Sequence, residues 1–283
     1  MLLLPEVIER TWKEVSRPMD GSPPMDDPFW PEAIARVKEQ SPNFAFLAEV
    51  YWDLEWTLMQ QGFDYAYDKR MYDRLRAQDA GAVRGHLWAS EDFQRRSVRF
   101  LENHDEPRAA ATFPVGVHQA AALLAMLAPG MRFFQEGQLD GRRHRFNVHL
   151  RRRIEEPADL ALQHFYDRLL RVLQSPQLQC GSWRLLDWRP AWSGNPTWEK
   201  FVVFWWSPPA NAAQLPPLLV AVNFGPTRGQ CLVPWPDGNS HKLLHLVDQM
   251  QPIEYERAQS DLARYGLYLD LPAWGYHVFE VRS

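Results

Sequence analysis

Residues 97–137, SVRFLENHDEPRAAATFPVGVHQAAALLAMLAPGMRFFQEG, decide the fold. They begin with a strand pattern, SVRFLENHD (97–105), continue with a helical stretch, VHQAAALLAML (117–127), and end with a second strand pattern, MRFFQEG (131–137). A strand, a helix and a second strand in this order are typical of a β–α–β unit with parallel strands and a right-handed crossover. The stretch therefore predicts an α/β region built on a parallel sheet.

The same alternation continues on both sides of this stretch. Two more strands are predicted at FAFLAEVYW (44–52) and FDYAYD (63–68). Helices are predicted over 5–15, 32–40, 53–61, 69–78 and 157–174, with a proline-rich loop at 17–31. We expect Gly62 at the C′ position of the helix over 53–61 and Pro157 in the first turn of the helix over 157–174. Four strands suffice for an open parallel sheet, whereas a closed β/α barrel needs eight.

The pattern changes after about Ser175. The 3.6-residue periodicity disappears, and short alternating runs follow at 201–207, 218–224, 230–235, 241–248, 267–271 and 276–281. Such runs, separated by Gly and Pro clusters, predict a small antiparallel β domain, a sandwich or a barrel. We therefore expect two domains, at 1–175 and 176–283.

Composition excludes several classes of protein. Hydrophobic residues make up 46% and charged residues 23% of the 283 residues, and no apolar run approaches the roughly 20 residues that span a bilayer. The net charge is −4, without a Lys/Arg block of the kind that follows a phosphate backbone. We expect neither a membrane nor a nucleic acid as partner.

The cysteines, Cys180 and Cys231, are expected to be free buried thiols. The start MLLLP fits no signal peptide, which favours a cytoplasmic location.

Two carboxylates follow predicted strands and are candidates for catalysis. Glu49 follows the apolar run FAFLA, and Asp105 ends SVRFLENHD. In parallel β/α folds the C-terminal ends of the strands carry the functional groups, so both acids are expected on one edge. The aromatic neighbours Tyr51, Trp52 and Trp56 would raise the pKa of Glu49, as a general acid requires. The alternative for Glu49 is a salt-bridged strand end.

The segment FLENHDEPR (100–108) concentrates polar chemistry at the end of one strand. Asn103, His104, Asp105 and Arg108 supply an amide, an imidazole, a carboxylate and a guanidinium. A plain turn, in which Asn103 and Asp105 cap the next helix, would explain those two residues. It would leave His104 and Arg108 without a role.

Four segments resemble the α-amylase family of glycoside hydrolases. They are FLAEVYW (46–52), FLENHDEPR (100–108), GMRFFQEGQ (130–138) and LYLDLPAWGYHVFEV (267–281). The resemblance extends over essentially the whole chain. It implies that the four strands are the fifth to eighth of a (β/α)8 TIM barrel, so that the fold is a partial barrel followed by a small antiparallel β-sandwich. The implied ligands are α-glucans or maltooligosaccharides.

The same resemblance implies roles for individual residues in a retaining mechanism. Glu49 would be the general acid/base, Asp105 would bind sugar hydroxyls and stabilise the transition state, and His104 would donate a hydrogen bond to the sugar. Further substrate contacts are expected from Asn103, Arg108, Tyr51 and Trp52. No metal or other cofactor is expected in this part, while calcium could belong to an N-terminal half of the barrel.

One departure from the family concerns its nucleophile, an Asp in an Arg-x-Asp pattern on the fourth strand. No Arg-x-Asp occurs at a predicted strand end, and MLLLPEV is similar to the segment just beyond that Asp. We therefore expect an N-terminally truncated, split or degenerate α-glucan hydrolase or transglycosylase, whose partner would be the missing N-terminal half of the barrel. The alternative is a catalytically silent carbohydrate-binding or partner protein with the same fold.

An arginine-rich segment has two interpretations. It contains Arg142, Arg143, Arg145 and Arg151 to Arg153. The cluster could bind an anion or the edge of a glucan, or it could be a solvated loop.

Overall fold

The structure, a computed structural model, describes residues 29–51, 53–147, 149, 151–152, 154–236, 238 and 242–283. The helix predicted over 5–15 and most of the proline-rich loop lie outside the described residues, as do Trp52 and Arg153. The helix predicted over 32–40 is present as α1 (Phe29–Gln40), whose buried residue is Ile34.

The four predicted strands form a parallel sheet. They are β1 (Leu47–Ala48), β2 (Tyr65–Tyr67), β3 (Ser97–Arg99) and β4 (Met131–Arg132). All neighbouring pairs are parallel and the order is β1-β2-β3-β4, so β1 and β4 each have one neighbour among the described strands. Each strand is shorter than predicted.

Helices connect these strands. They are α2 (Glu55–Gln60), α3 (Lys69–Arg76), α4 (Ala80–Leu87), α5 (Glu91–Arg96), α6 (Ala109–Thr112), α7 (Val115–Met126) and α8 (Leu160–Leu173). Gly62, with a φ of +106°, occupies the C′ position after α2 as predicted.

Pro157 does not lie in the first turn of α8. The helix begins at Leu160 because the Asp159 carboxylate accepts hydrogen bonds from the backbone N–H groups of Ala161 and Leu162, at 3.0 and 3.1 Å. A carboxylate that satisfies two free N–H groups in this way fixes the start of a helix.

From Val117 onward helix α7 is buried, apart from the half-buried Gln119, and it belongs to a core shared by both parts of the chain. Val117 and Leu124 of α7 belong to the same hydrophobic cluster as Val220 and Val222, which lie in the region after Ser175. The indole N–H of Trp206 also donates a hydrogen bond to the carbonyl of Leu127, at 2.8 Å. The division at 175 and 176 therefore stays a prediction, since the core crosses it.

In the described residues, the region after Ser175 contains two antiparallel sheets, two short α-helices and two short 3-10 helices, Thr197–Lys200 and Ala210–Ala212. The elements are α9 (Pro176–Cys180), β5 (Ser182–Leu185), β6 (Arg189–Pro190), β7 (Phe201–Ser207), β8 (Leu218–Asn223), β9 (Gly229–Val233), β10 (Leu243–Asp248), β11 (Glu254–Ala258), α10 (Gln259–Tyr265), β12 (Leu267–Leu271) and β13 (Tyr276–Arg282). One sheet has the order β11-β10-β13-β8-β7-β5 and the other β12-β9-β6. The predicted antiparallel β content is confirmed.

These two sheets pack face to face. Trp205 and Leu219 of the larger sheet share a hydrophobic cluster with Cys231 and Leu269 of the smaller one. The expectation that both thiols are buried is wrong for Cys180, which is exposed at the end of α9, whereas Cys231 is buried. None of the helices in the described part of the chain is long and apolar enough to cross a membrane.

Candidate active site

Glu49 lies directly after β1. Its neighbours Ala48 and Val50 are buried in a hydrophobic cluster, and the alternation of an extended chain leaves the Glu49 side chain 40% exposed. Its carboxylate Oε1 accepts a hydrogen bond from the Tyr51 hydroxyl at 3.3 Å. Burial, followed by the charge of Glu49, raises the pKa of Tyr51, so this hydroxyl remains a donor at neutral pH.

The loop after β3 places His104 and Asp105. Asn103 is buried, and its Oδ1 accepts hydrogen bonds from the backbone N–H groups of Asp105 and Glu106, at 2.9 and 2.8 Å. This Asx turn fixes the backbone at the two residues that carry the imidazole and the carboxylate. Asn103 therefore holds the loop, and its expected contact with a sugar stays a prediction.

Glu49, His104 and Asp105 meet at one edge of the sheet, although they come from two strands that are not neighbours. His104 Nε2 lies 3.4 Å from Glu49 Oε1 and 3.5 Å from Asp105 Oδ2. The side chains of all three are open to solvent, with the Asp105 side chain 54% exposed. The carboxyl ends of parallel strands meet at one edge, which is why this distant pair of acids is brought together.

A buried ion pair between Glu102 and Arg108 stabilises the loop after β3. Arg108 Nη1 lies 2.7 Å from Glu102 Oε1, and Glu102 Oε2 accepts the backbone N–H of Ala109 at 2.5 Å. Arg108 Nη2 donates to the carbonyl of Glu136, after β4, at 2.7 Å. Burial raises the pKa of Glu102 to about 7, against the opposing effects of the Ala109 hydrogen bond and the Arg108 charge. The pair joins both ends of the loop at 102–109 to the neighbouring strand.

The structure distributes the predicted site residues over several positions. Glu49, Tyr51, His104 and Asp105 lie together, Asn103 and Arg108 lie beneath them as supports, and Trp52 is outside the described residues. Trp56, expected beside Glu49, lies against Phe93, with ring centroids 6.3 Å apart. The polar contacts of Glu49 go to Tyr51 and His104.

The role of Glu102, and the contact of Arg145 with this site, were not predicted from the sequence. Glu102 is fully buried and pairs with Arg108, and Arg145 donates to the carbonyl of His104 at 3.1 Å. The apolar run before Glu102 and the arginine-rich segment were visible in the sequence, but the pairing of a loop arginine with a residue 41 positions away was not.

The triplet could also hold a cation. One potential ligand atom from each of Glu49, His104 and Asp105 lies within 4.8 Å of the others. Carboxylate oxygens and an imidazole nitrogen are ligands for several divalent ions. The expectation that this part binds no metal stays a prediction.

No family model matches the chain. No curated protein sequence matches it either.

Solved structures of α-amylase-type enzymes match the fold over most of the chain. A noncanonic maltogenic α-amylase from Thermotoga neapolitana matches with a TM-score of 0.67 at 13% identity, covering 88% of this chain and 58% of that one. The α-amylase from Geobacillus thermoleovorans, in complex with acarbose, matches with a TM-score of 0.67 at 17% identity, covering 90% and 57%. A debranching enzyme from Nostoc punctiforme matches with a TM-score of 0.60 at 17% identity, covering 93% and 55%.

These comparisons show the fold. The chain spans a little over half the length of these structural neighbours, and nearly all of it takes part in the match. The sequence resemblance to the α-amylase family is thereby confirmed at the level of fold.

Proposed function

We propose that this chain carries part of the active site of a retaining glycoside hydrolase or transglycosylase that acts on α-glucans. The observation that carries the proposal is the meeting of Glu49, His104 and Asp105 at the carboxyl edge of the parallel sheet, within 3.5 Å contacts. Structural neighbours include an α-amylase in complex with acarbose, which supports an α-glucan or maltooligosaccharide as the ligand. The proposal also places the protein in the cytoplasm.

Each residue has a distinct task in this proposal. Glu49 protonates the glycosidic oxygen as the bond breaks and later removes a proton from the attacking water or sugar hydroxyl. Asp105 accepts hydrogen bonds from ring hydroxyls that tighten as the sugar approaches an oxocarbenium-like transition state. His104 donates a hydrogen bond to the same sugar. Its imidazole lies between the carboxylates of Glu49 and Asp105 and so separates the two negative charges.

The four parallel strands are half of a (β/α)8 barrel in this proposal. β1 and β4 each offer a free edge among the described strands, and these are the edges at which the other four strands would pair. Phe44 lies just before β1 and is 53% exposed, and Leu47 lies in β1 and is 39% exposed. Exposed apolar side chains on a free strand edge favour pairing with another strand.

In this proposal the nucleophile comes from outside the described residues. A retaining mechanism needs a second carboxylate that attacks the anomeric carbon, about 5 Å from the acid/base. Asp105 is assigned to the sugar hydroxyls, and the 283 residues contain no Arg-x-Asp at a strand end. We therefore expect the chain alone to bind maltooligosaccharides and to hydrolyse them at no detectable rate, since the covalent step is closed.

Binding and turnover test the proposal separately. Titration calorimetry of the 283-residue chain with maltotriose and acarbose should show saturable binding, weakened at least tenfold by Asp105→Ala and by His104→Ala. Asp261→Ala is the matched control, because Asp261 is exposed on α10 in the β region. Turnover of starch is then measured on the chain joined to the coding sequence upstream of Met1, with and without Glu49→Gln.

Three outcomes decide between the alternatives. Binding together with turnover that Glu49→Gln abolishes supports the enzyme. Binding without turnover in the extended protein supports the silent carbohydrate-binding protein. If maltotriose fails to bind, or if Asp261→Ala weakens binding as much as Asp105→Ala, the assignment of the site is wrong.

A further inference from the structure

The arginine-rich segment after β4 closes over a cavity of about 280 Å³ beside the candidate active site. Four arginines line it: Arg108, Arg142, Arg145 and Arg152. We call it the arginine cavity. Its volume lies at the small end of the range for ligand pockets, which suits one compact group better than a glucan chain.

Two of these arginines are packed together, and Arg108 is buried while Arg142 is half-buried. Their side chains meet over Gly137, where an added Cβ would overlap both Arg108 Nη2 and Arg142 Cδ, and where φ is +82°. The Nε atoms of Arg108 and Arg142 are both buried without a hydrogen-bond acceptor among the described residues. Arg108 itself is 2% exposed. Buried donors are nearly always satisfied, so the Arg108 Nε–H, and the Arg142 Nε–H with only a long 3.5 Å contact to Asp140 Oδ2, indicate room for a further acceptor.

Glu156 holds the segment that carries the other two arginines, Arg145 and Arg152. The Glu156 carboxylate accepts the backbone N–H groups of Arg143 and His144, at 2.9 and 3.0 Å, and also lies 2.9 Å from His144 Nδ1. Burial would raise the pKa of Glu156, but these hydrogen bonds outweigh it and lower the pKa to about 2. The carboxylate of Glu156, which lines the cavity, is therefore already occupied by hydrogen bonds to Arg143 and His144.

The remaining charges leave the cavity positive. Arg108 is paired with Glu102, and Arg142 Nε lies 3.5 Å from Asp140 Oδ2. Arg145 Nη2 lies 4.0 Å from Asp105 Oδ1, and Arg152 has no ion pair with any residue that the structure describes. A tetrahedral oxyanion would meet guanidinium N–H groups from several sides, in the geometry that arginine offers to phosphate.

Arg145 also locates the cavity relative to the acids. It lines the cavity, donates to the His104 carbonyl at 3.1 Å and approaches Asp105. A sugar held by Asp105 and His104 would therefore have its edge at the mouth of the cavity. We propose that the arginine cavity binds the phosphate group of a phosphorylated sugar whose ring lies at Asp105. The position of the ring rests on the proposed function, whereas the binding of the anion does not.

Calorimetric titrations of the 283-residue chain at constant ionic strength, adjusted with chloride, test this proposal. The ligands are inorganic phosphate, glucose 6-phosphate, glucose 1-phosphate, acetate and glucose. We expect saturable binding of phosphate, weaker binding of acetate, and at least tenfold tighter binding of one glucose phosphate than of either phosphate or glucose alone. Arg145→Gln and Arg152→Gln should each weaken phosphate binding at least fivefold.

The same segment supplies matched controls. Arg143 and Arg151 are exposed and do not line the cavity, so Arg143→Gln and Arg151→Gln should leave phosphate binding unchanged. Circular dichroism melts confirm that each variant is folded. Equal losses in the control and cavity variants, or no saturable binding of phosphate, overturn the proposal.

A glucose phosphate that binds no tighter than phosphate also overturns it. Acetate that binds as tightly as phosphate would do so too, and would point to a carboxylate of another polypeptide segment as the natural occupant. The binding of maltotriose is unaffected by these results, so a failure here and a failure of the proposed function are separately visible.

Discussion

His118 is a buried imidazole whose Nε2 lies beside the Tyr166 hydroxyl, and burial favours its neutral form. Gln138 Nε2 lies 3.0 Å from the Tyr166 hydroxyl, and that hydroxyl lies 2.7 Å from His118 Nε2. Because the amide donates to the hydroxyl oxygen, the hydroxyl proton is available to His118, whose Nε2 accepts it. Burial lowers the pKa of His118 to about 4.

This imidazole should make the free energy of unfolding depend on pH. In the unfolded chain the imidazole titrates near pH 6.5, so between pH 6.5 and 4 the unfolded state binds more protons than the folded state. Stability is therefore lost as the pH falls through that range, by about 3 kcal/mol at most for this one group. His118→Gln should flatten the dependence in urea titrations at pH 7 and 5, whereas His164→Gln, at an exposed position of α8, should not. A variant as pH-sensitive as the parent would contradict this account.

At the level of single residues, the sequence predicted the acids of the site better than their supports. The positions of Glu49 and Asp105 could be predicted because Glu49 follows an apolar run and Asp105 ends a strand pattern, and parallel strands bring such positions to one edge. The pairing of Glu102 with Arg108 was not predicted, since both lie in the motif and nothing in the spacing shows that they face inward. Contacts made by Arg145 depend on the path of a loop, which periodicity does not describe.

Strand β1 is the element that most affects the behaviour of the isolated chain. It lies at an edge of the described sheet, and Leu47 is 39% exposed there. A free edge with exposed apolar residues favours pairing between copies, and a charged residue on such an edge suppresses it.

We expect the chain to associate with itself through this edge. Leu47→Lys should shift the sedimentation profile towards the monomer, whereas Leu160→Lys should not, because Leu160 is 66% exposed on α8, away from the sheet edge. Sedimentation velocity over a range of protein concentrations measures the effect. A parent chain that remains a monomer at every concentration would show that the edge is already covered.

Elements with strong periodicity were predicted well, and those without it were not. Helices α7 and α8 and all four parallel strands were expected, apart from their exact ends. The stretch after β2 was predicted as one helix through residue 78, but Asp79 and Ser90 each cap a further helix, α4 and α5. Strand β11 was also missed because its residues are mostly exposed and show no alternation.

At the scale of the whole molecule, the shared core predicts one unfolding transition. Residues of α7 and of the larger antiparallel sheet belong to one cluster, and the Trp206 indole donates across it to Leu127. Far-ultraviolet circular dichroism and tryptophan fluorescence should therefore report the same midpoint in urea.

Trp206→Phe should lower that stability by about 1–3 kcal/mol, since a buried carbonyl loses its donor. Trp192→Phe, at a 54% exposed tryptophan, should change it little. Separate midpoints for the two probes would instead show that the two regions unfold independently.

The burial of α7 also has a consequence for how such a chain can be divided and recombined. Helix α7 shares its core with Phe100 and Leu101, just after β3, and with Val220 and Val222 of β8, so a cut near residue 175 would open apolar surface on both fragments. A cut between β1 and β2 separates strands that pair at only two positions, Leu47 with Tyr65 and Ala48 with Ala66. Gene fission, domain exchange and fragment complementation in proteins of this fold should therefore succeed more readily between strands of the parallel sheet than at the junction with the β region.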